Sequence, residues 1–170
     1  LAALALEEEI NQVTSIVTRT WLRLVYRVEP RSTWTSVSKV PNTWADTAAN
    51  NVVIVREYRD TCQEVSGSAY CSGSGTLTVD AYKATFLSPA FSSMSPSLVA
   101  DNLSSVNQSG AAITPFVLNT ITQVDPTTGA ITTSQTITMT FQGKRYISGV
   151  TTFTPSSNSM TLAVQARNVN

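Results

Sequence analysis

Ile10, Val13, Val17, Trp21, Leu24 and Val28 recur at spacings of 3, 4, 4, 3 and 4. That repeat is the apolar stripe of an amphipathic helix. Arg19, Arg23 and Arg27 follow at i, i+4 and i+8 on another face, and Glu7, Glu8 and Glu9 stand at the start. A helix dipole favours acids there and bases toward the end. Pro30 disfavours helical geometry at Glu29. The pattern predicts one helix over residues 1–29, about 40 Å long at ~1.5 Å per residue.

Residues 31–50 hold Trp34, Trp44 and Pro41 and keep no period, so they read as an irregular connection with a helical turn near its end. Val52, Val53, Ile54 and Val55 predict a buried strand over 51–58. Residues 61–75 read as a Gly/Ser loop carrying Cys62 and Cys71, 76–87 as a second strand, and Ser-rich 88–110 as a loop with a short helical piece.

From Ile113 the period changes to two. A strand over 113–124 leads to turn chemistry at Asp125-Pro126-Thr127-Thr128-Gly129. Ile131, Ile137, Met139 and Phe141 then alternate with Thr132, Thr136, Thr138 and Thr140. Gln142-Gly143-Lys144 reads as a tight turn, 145–154 as a strand, Pro155 to Asn158 as another turn. Met160, Leu162, Val164 and Ala166 mark a last strand. The expected fold is a single α+β domain over 1–170: an amphipathic helix (1–29), a loop region with two strands and the cysteine pair (30–110), and a four-stranded antiparallel meander (111–170). One face of that meander is apolar and needs a cover. Ile10, Val13, Val17, Trp21, Leu24 and Val28 are the residues expected to pack on it.

Composition narrows the chemistry. The chain carries 11 basic and 11 acidic residues in 170, with 21 Ser and 25 Thr and no histidine. Ser-His-Asp and Cys-His catalysis and every His-ligated metal site are thereby excluded. Zero net charge argues against a dedicated nucleic-acid binder, whose affinity rests on neutralising phosphates. Two cysteines nine positions apart, Cys62 and Cys71, suggest one disulfide and an oxidising compartment. No metal and no cofactor is expected. No apolar run reaches the roughly 18–20 residues of a membrane span, and no signal-peptide pattern opens the chain. Leu-Ala-Ala-Leu-Ala-Leu at the start reads as the tail of a longer apolar segment.

Candidate sites are few. Ser36-Val37-Ser38-Lys39 matches a Ser-x-x-Lys pattern, but such a Ser needs its Lys one helical turn away, and this stretch reads as loop. The sequons at Asn102 and Asn107 occur at the chance level for a chain this rich in Ser and Thr. Glu7, Glu8 and Glu9 project about 100° apart on a helix and do not converge on one cation. Arg19, Arg23 and Arg27, with Lys144 and Arg145, could contact DNA, but zero net charge favours a solvated face, or subunit contacts in which the three arginines pair with acids of a neighbouring copy. Trp34 and Trp44 either cover a sheet edge or stack on sugar.

A helix too long for its domain, followed by a loop region and a hydroxyl-rich antiparallel meander between Ile113 and Arg167, resembles a type IV pilin or a type II secretion pseudopilin. The family's Gly cleavage site and its run of about twenty apolar residues are missing here. The cysteines also depart from its commonest pattern, which places them around the C-terminal strands. The resemblance implies a non-catalytic minor pilin or pseudopilin that assembles through its N-terminal helix. Its partners would be other pilin subunits and, before assembly, the inner membrane through an apolar segment ahead of Leu1. Its place would be the cell surface or periplasm, and its service adhesion, motility, DNA uptake or secretion. The rival reading is a secreted or surface β-rich binding module, an adhesin or carbohydrate-binding domain. A small hydrolase using Ser36 and Lys39 is the third.

Overall fold

The structure, a computed structural model, describes residues 2–34, 39–65, 68–71, 84, 94 and 96–165. The strand expected at 76–87 and Ser36 lie outside the described residues, apart from Ala84 in the former.

Residues 2–30 are a β-hairpin, not a helix. β1 (Ala2–Ile10) and β2 (Val17–Pro30) pair antiparallel, from Ala2 opposite Val25 to Ile10 opposite Val17. The expected α+β class is therefore wrong, and no helix stripe packs on the meander. Side chains alternate along a strand, so Val17 and Trp21 fall on one face of β2 and Leu24 and Val28 on the other. Ile10 ends β1, and Val13 sits in the turn, 93% exposed. The stripe misled for a definable reason. A step of four is close to one helical turn and is also an even number, so it keeps residues on one face of either element; only the two steps of three favour a helix. Against them stand Val17, Thr18, Thr20, Trp21, Val25, Tyr26 and Val28, β-branched or aromatic residues that fill half of β2 and favour extended backbone. Asn11 closes the turn. Its Oδ1 accepts the N–H groups of Val13 at 2.9 Å and Thr14 at 3.1 Å, the local bond by which Asn mimics a backbone turn.

The chain divides into two compact units, residues 1–27 with 55–99 and residues 28–54 with 100–170. Its strands hydrogen-bond into a seven-stranded and a three-stranded sheet. In the first unit β2 lies between β1 and β3 (Val52–Val65), and β3 also pairs with β4 (Ser68–Cys71). This ladder replaces much of the loop expected at 61–75. Cys62 is opposite Cys71 in register, is fully buried and is disulfide-bonded. Val25, Tyr58 and Met94 form a buried cluster. The Arg27 and Arg56 guanidiniums stand 5.7 and 5.5 Å from the Tyr58 ring centre, within cation–π range.

In the second unit β8 (Gly143–Ile147) lies between β5 (Pro96–Ser104) and β9 (Val150–Thr154). β7 (Ile131–Phe141) lies between β6 (Phe116–Val124) and β10 (Met160–Gln165). The strands expected to form one meander thus belong to two sheets. Gln142-Gly143-Lys144 is not a turn: Gln142 alone separates β7 from β8. A Cβ on Gly143 would stand 3.4 Å from the Thr154 carbonyl oxygen, so glycine suits the crowded start of β8. The turn lies further on, at Ser148 and Gly149, with φ of 51° and 86°. Two central residues at positive φ make the hairpin loop whose twist suits its strands. It divides the strand expected over 145–154 into β8 and β9. Pro96 to Ser104, expected in a loop, is strand β5.

Candidate functional site

The three-stranded sheet β10-β7-β6 has two unlike faces. Register places Phe116 opposite Met139, Leu118 opposite Ile137, Met160 opposite Phe141, Leu162 opposite Met139 and Val164 opposite Ile137. Alternation puts all eight side chains on one face. Val124 and Ile131 join them at the turn end, beyond Thr120, Thr122, Thr133 and Gln135. Phe116 and Phe141 meet edge to face, with ring centres 5.6 Å apart, a favoured aromatic geometry. The opposite face is mixed, with Val117 and Ile121 exposed among Asn119, Gln123 and a row of threonines. There Asn119 Nδ2 donates to Thr138 Oγ1 at 3.2 Å, and the Thr140 and Thr161 hydroxyls lie 3.4 Å apart.

The apolar face is exposed along its outer strands, while Phe116, Ile137, Met139 and Phe141 are half-buried. Leu118 is 57% exposed, Met160 60% and Leu162 55%. Among the described side chains of β6, β7 and β10 none is buried. Folding normally buries such a face, at about 25 cal/mol for each Å² removed from water. The three strands hold no charged residue, so nothing on them repels an apolar partner. β6 and β10 are the outer strands, without the lysines or prolines that usually guard a sheet edge.

Two polar clusters compete for attention, and both are internally satisfied. Arg31, in the 3-10 turn that follows β2, is buried. Its Nε donates to Asp101 Oδ1 at 2.7 Å and its Nη2 to Asp101 Oδ2 at 3.1 Å. Nη1 reaches Asp46 Oδ1 at 2.5 Å, and Nη2 also donates to the Val40 carbonyl at 2.9 Å. Lys39 Nζ reaches the same Asp46 oxygen at 2.8 Å. The bond to Asp101 outweighs burial and holds the guanidinium pKa above its ordinary value. Burial pushes Asp46 up, but bonds from Lys39, the Asn42 N–H and Arg31 together hold it below its ordinary 3.8. The second cluster surrounds Lys144. Its buried Nζ donates to the Asn50 carbonyl at 2.7 Å, between the rings of Phe153 at 5.4 Å and Trp44 at 5.9 Å. Desolvation pulls the Lys144 pKa down. Trp44 stacks on Tyr146, ring centres 5.3 Å apart.

A pH dependence follows from Asp46. A carboxyl held below its unfolded value contributes stability above that value and loses it as pH falls through the folded one. Urea midpoints should therefore be flat near neutrality and fall below about pH 4. Asp46→Asn should flatten part of that acid limb; an unchanged limb would remove Asp46 from the cause.

The residues singled out by sequence are dispersed. Arg19 contacts Glu8 at 3.2 Å and Glu64 at 3.6 Å, and Arg23 Nε donates to Asp60 at 2.9 Å, so two of the arginines expected at subunit contacts have acids of their own chain. Arg27 is exposed beside Tyr58. Trp34 is buried, with the Arg31 guanidinium 5.7 Å from its ring centre, and offers no free face to a sugar. Lys39 is engaged with Asp46 and with the Arg31 carbonyl. Among the described residues no group of acids and cysteines is placed to hold a metal ion, and no helix is long and apolar enough to cross a membrane.

Known families, curated proteins and solved structures yield no match to this chain. Its reading rests on its own geometry.

The apolar alternation of the candidate surface was legible in the sequence; its exposure was not, because the stripe of residues 10–28 mimics a helix that would cover it. Arg31, Asp46, Asp60 and Asp101 gave no signal at all. Their partners stand 15, 37 and 70 positions apart, and no local pattern encodes such pairings.

Proposed function

We propose that the chain is a non-catalytic structural or binding module that works by docking the apolar face of β6, β7 and β10 on a protein surface. One observation carries the reading: an uncharged sheet face with Leu118, Met160 and Leu162 each more than half exposed. Single exposed apolar residues are ordinary, whereas a contiguous patch marks an interaction site. The disulfide at Cys62 and the Ser/Thr-rich composition fit an oxidising, extracellular setting. An assembly subunit remains within this reading, with a sheet in the role that the pilin resemblance gave to a helix. The likeness to pilins itself loses its main support, since its long N-terminal helix is a hairpin. Sugar stacking is disfavoured, because Trp34 is buried and Trp44 is stacked on Tyr146.

Binding of an environment-sensitive apolar dye to the folded, diluted chain tests the reading. The dye should bind. Leu118→Lys with Leu162→Lys should reduce its binding several-fold, while Asn119→Lys on the opposite face should leave it unchanged. A folded monomer that binds no dye has its face covered by its own chain, and the reading falls.

A further inference from the structure

We propose that the natural occupant of this face is a second copy of the same chain, docked sheet against sheet as a closed two-fold pair. The inference rests on the reading above and names its partner.

Area is the first argument. Leu118, Met160, Leu162 and Val164 are 57, 60, 55 and 44% exposed. Together with the half-buried Phe116 and Phe141 and their neighbours, they leave on the order of 500–800 Å² open per copy, taking large apolar side chains at about 150–250 Å² each. Two such faces remove about 1,000–1,600 Å² in total, which spans the lower bound for a stable specific interface. A smaller partner would leave part of the patch wet.

Charge is the second argument. The three strands contain no Lys, Arg, Asp or Glu, and the chain's formal net charge is zero. Partners of opposite charge are selected by complementary potentials, and this face has none to offer. A copy of itself meets no like-charge repulsion, either at contact or at long range. Geometry agrees. Two sheets pack face to face about 10 Å apart with interdigitated apolar side chains, and one surface meeting itself about a two-fold axis closes after two copies.

Sedimentation equilibrium of the full chain over a wide dilution series tests this. A monomer–dimer equilibrium is expected. Leu118→Lys with Leu162→Lys should weaken it at least about a hundredfold, and Asn119→Lys should not. Both leucines are exposed, so folding should survive. Thr120→Lys, which adds a charge to the same face without deleting any apolar side chain, is the second variant and should weaken pairing in the same direction. The Lys variant mixed with Leu118→Asp/Leu162→Asp should recover a pair that neither forms alone, an outcome that only like-face docking produces. A monomer at every concentration that still binds the apolar dye overturns the proposal and leaves the binding-module reading standing. A monomer that binds no dye overturns both. Growth beyond two copies, insensitive to the leucine changes, overturns face docking and points to the β6 and β10 edges.

Discussion

Replacing Arg31 by alanine is expected to cost about 3–5 kcal/mol of stability, read from urea unfolding. The side chain is 2% exposed and is the meeting point of residues 40, 46 and 101, bound to two carboxylates and a carbonyl. Truncation leaves Asp46 and Asp101 facing one another without the cation between them. Lys39 still neutralises Asp46, and both carboxylates keep some solvent, which places the loss toward the lower end. Arg31→Lys should recover little, because an ammonium cannot reproduce the planar fork that holds Asp101 through two nitrogens. A loss below 1 kcal/mol would mean that the cluster is a bystander.

Arg23→Ala is expected to be of similar size, about 3–5 kcal/mol, in the other unit. Arg23 and Asp60 are both nearly inaccessible. Removing the arginine takes the guanidinium from a nearly inaccessible carboxylate, and that penalty exceeds the value of the pair itself. Arg23→Met combined with Asp60→Leu should therefore regain most of the loss, since a packed apolar pair carries no desolvation cost. A double-mutant cycle measures the coupling. Losses that simply add would show that the two side chains do not act as a pair.

These two arginines also show what the sequence can convey. Arg19, Arg23 and Arg27 lie four apart, and that interval survives a change from helix to strand: they still share a face. What the interval cannot tell is that Arg23 turns inward to an acid on β3. The sequence marks Asp125 as a turn residue, and its carboxylate does accept the N–H groups of Thr127 and Thr128, because Asx turns are local. The Ser148-Gly149 turn is equally local, but it is embedded in a run from Arg145 to Thr154 rich in β-branched and aromatic residues. The period of two from Ile131 onward persists in β7 and β10, although the strands between them belong to the other sheet. Assigning the candidate face a cover required knowing the fate of residues 1–29, where two intervals of three outweighed a density of β-branched and aromatic residues that pointed the other way.

Gln142 stands alone between β7 and β8. It is enclosed, with its backbone oxygen on the Ser104 N–H and its amide on the Pro155 carbonyl. A displacement of the three-stranded sheet therefore reaches β8 with a single residue of slack. The other end of the β8–β9 hairpin returns to the same sheet as well, since five residues separate Thr154, which closes β9, from Met160, which opens β10. The seam that sends one strand into two sheets thus doubles as a mechanical tether.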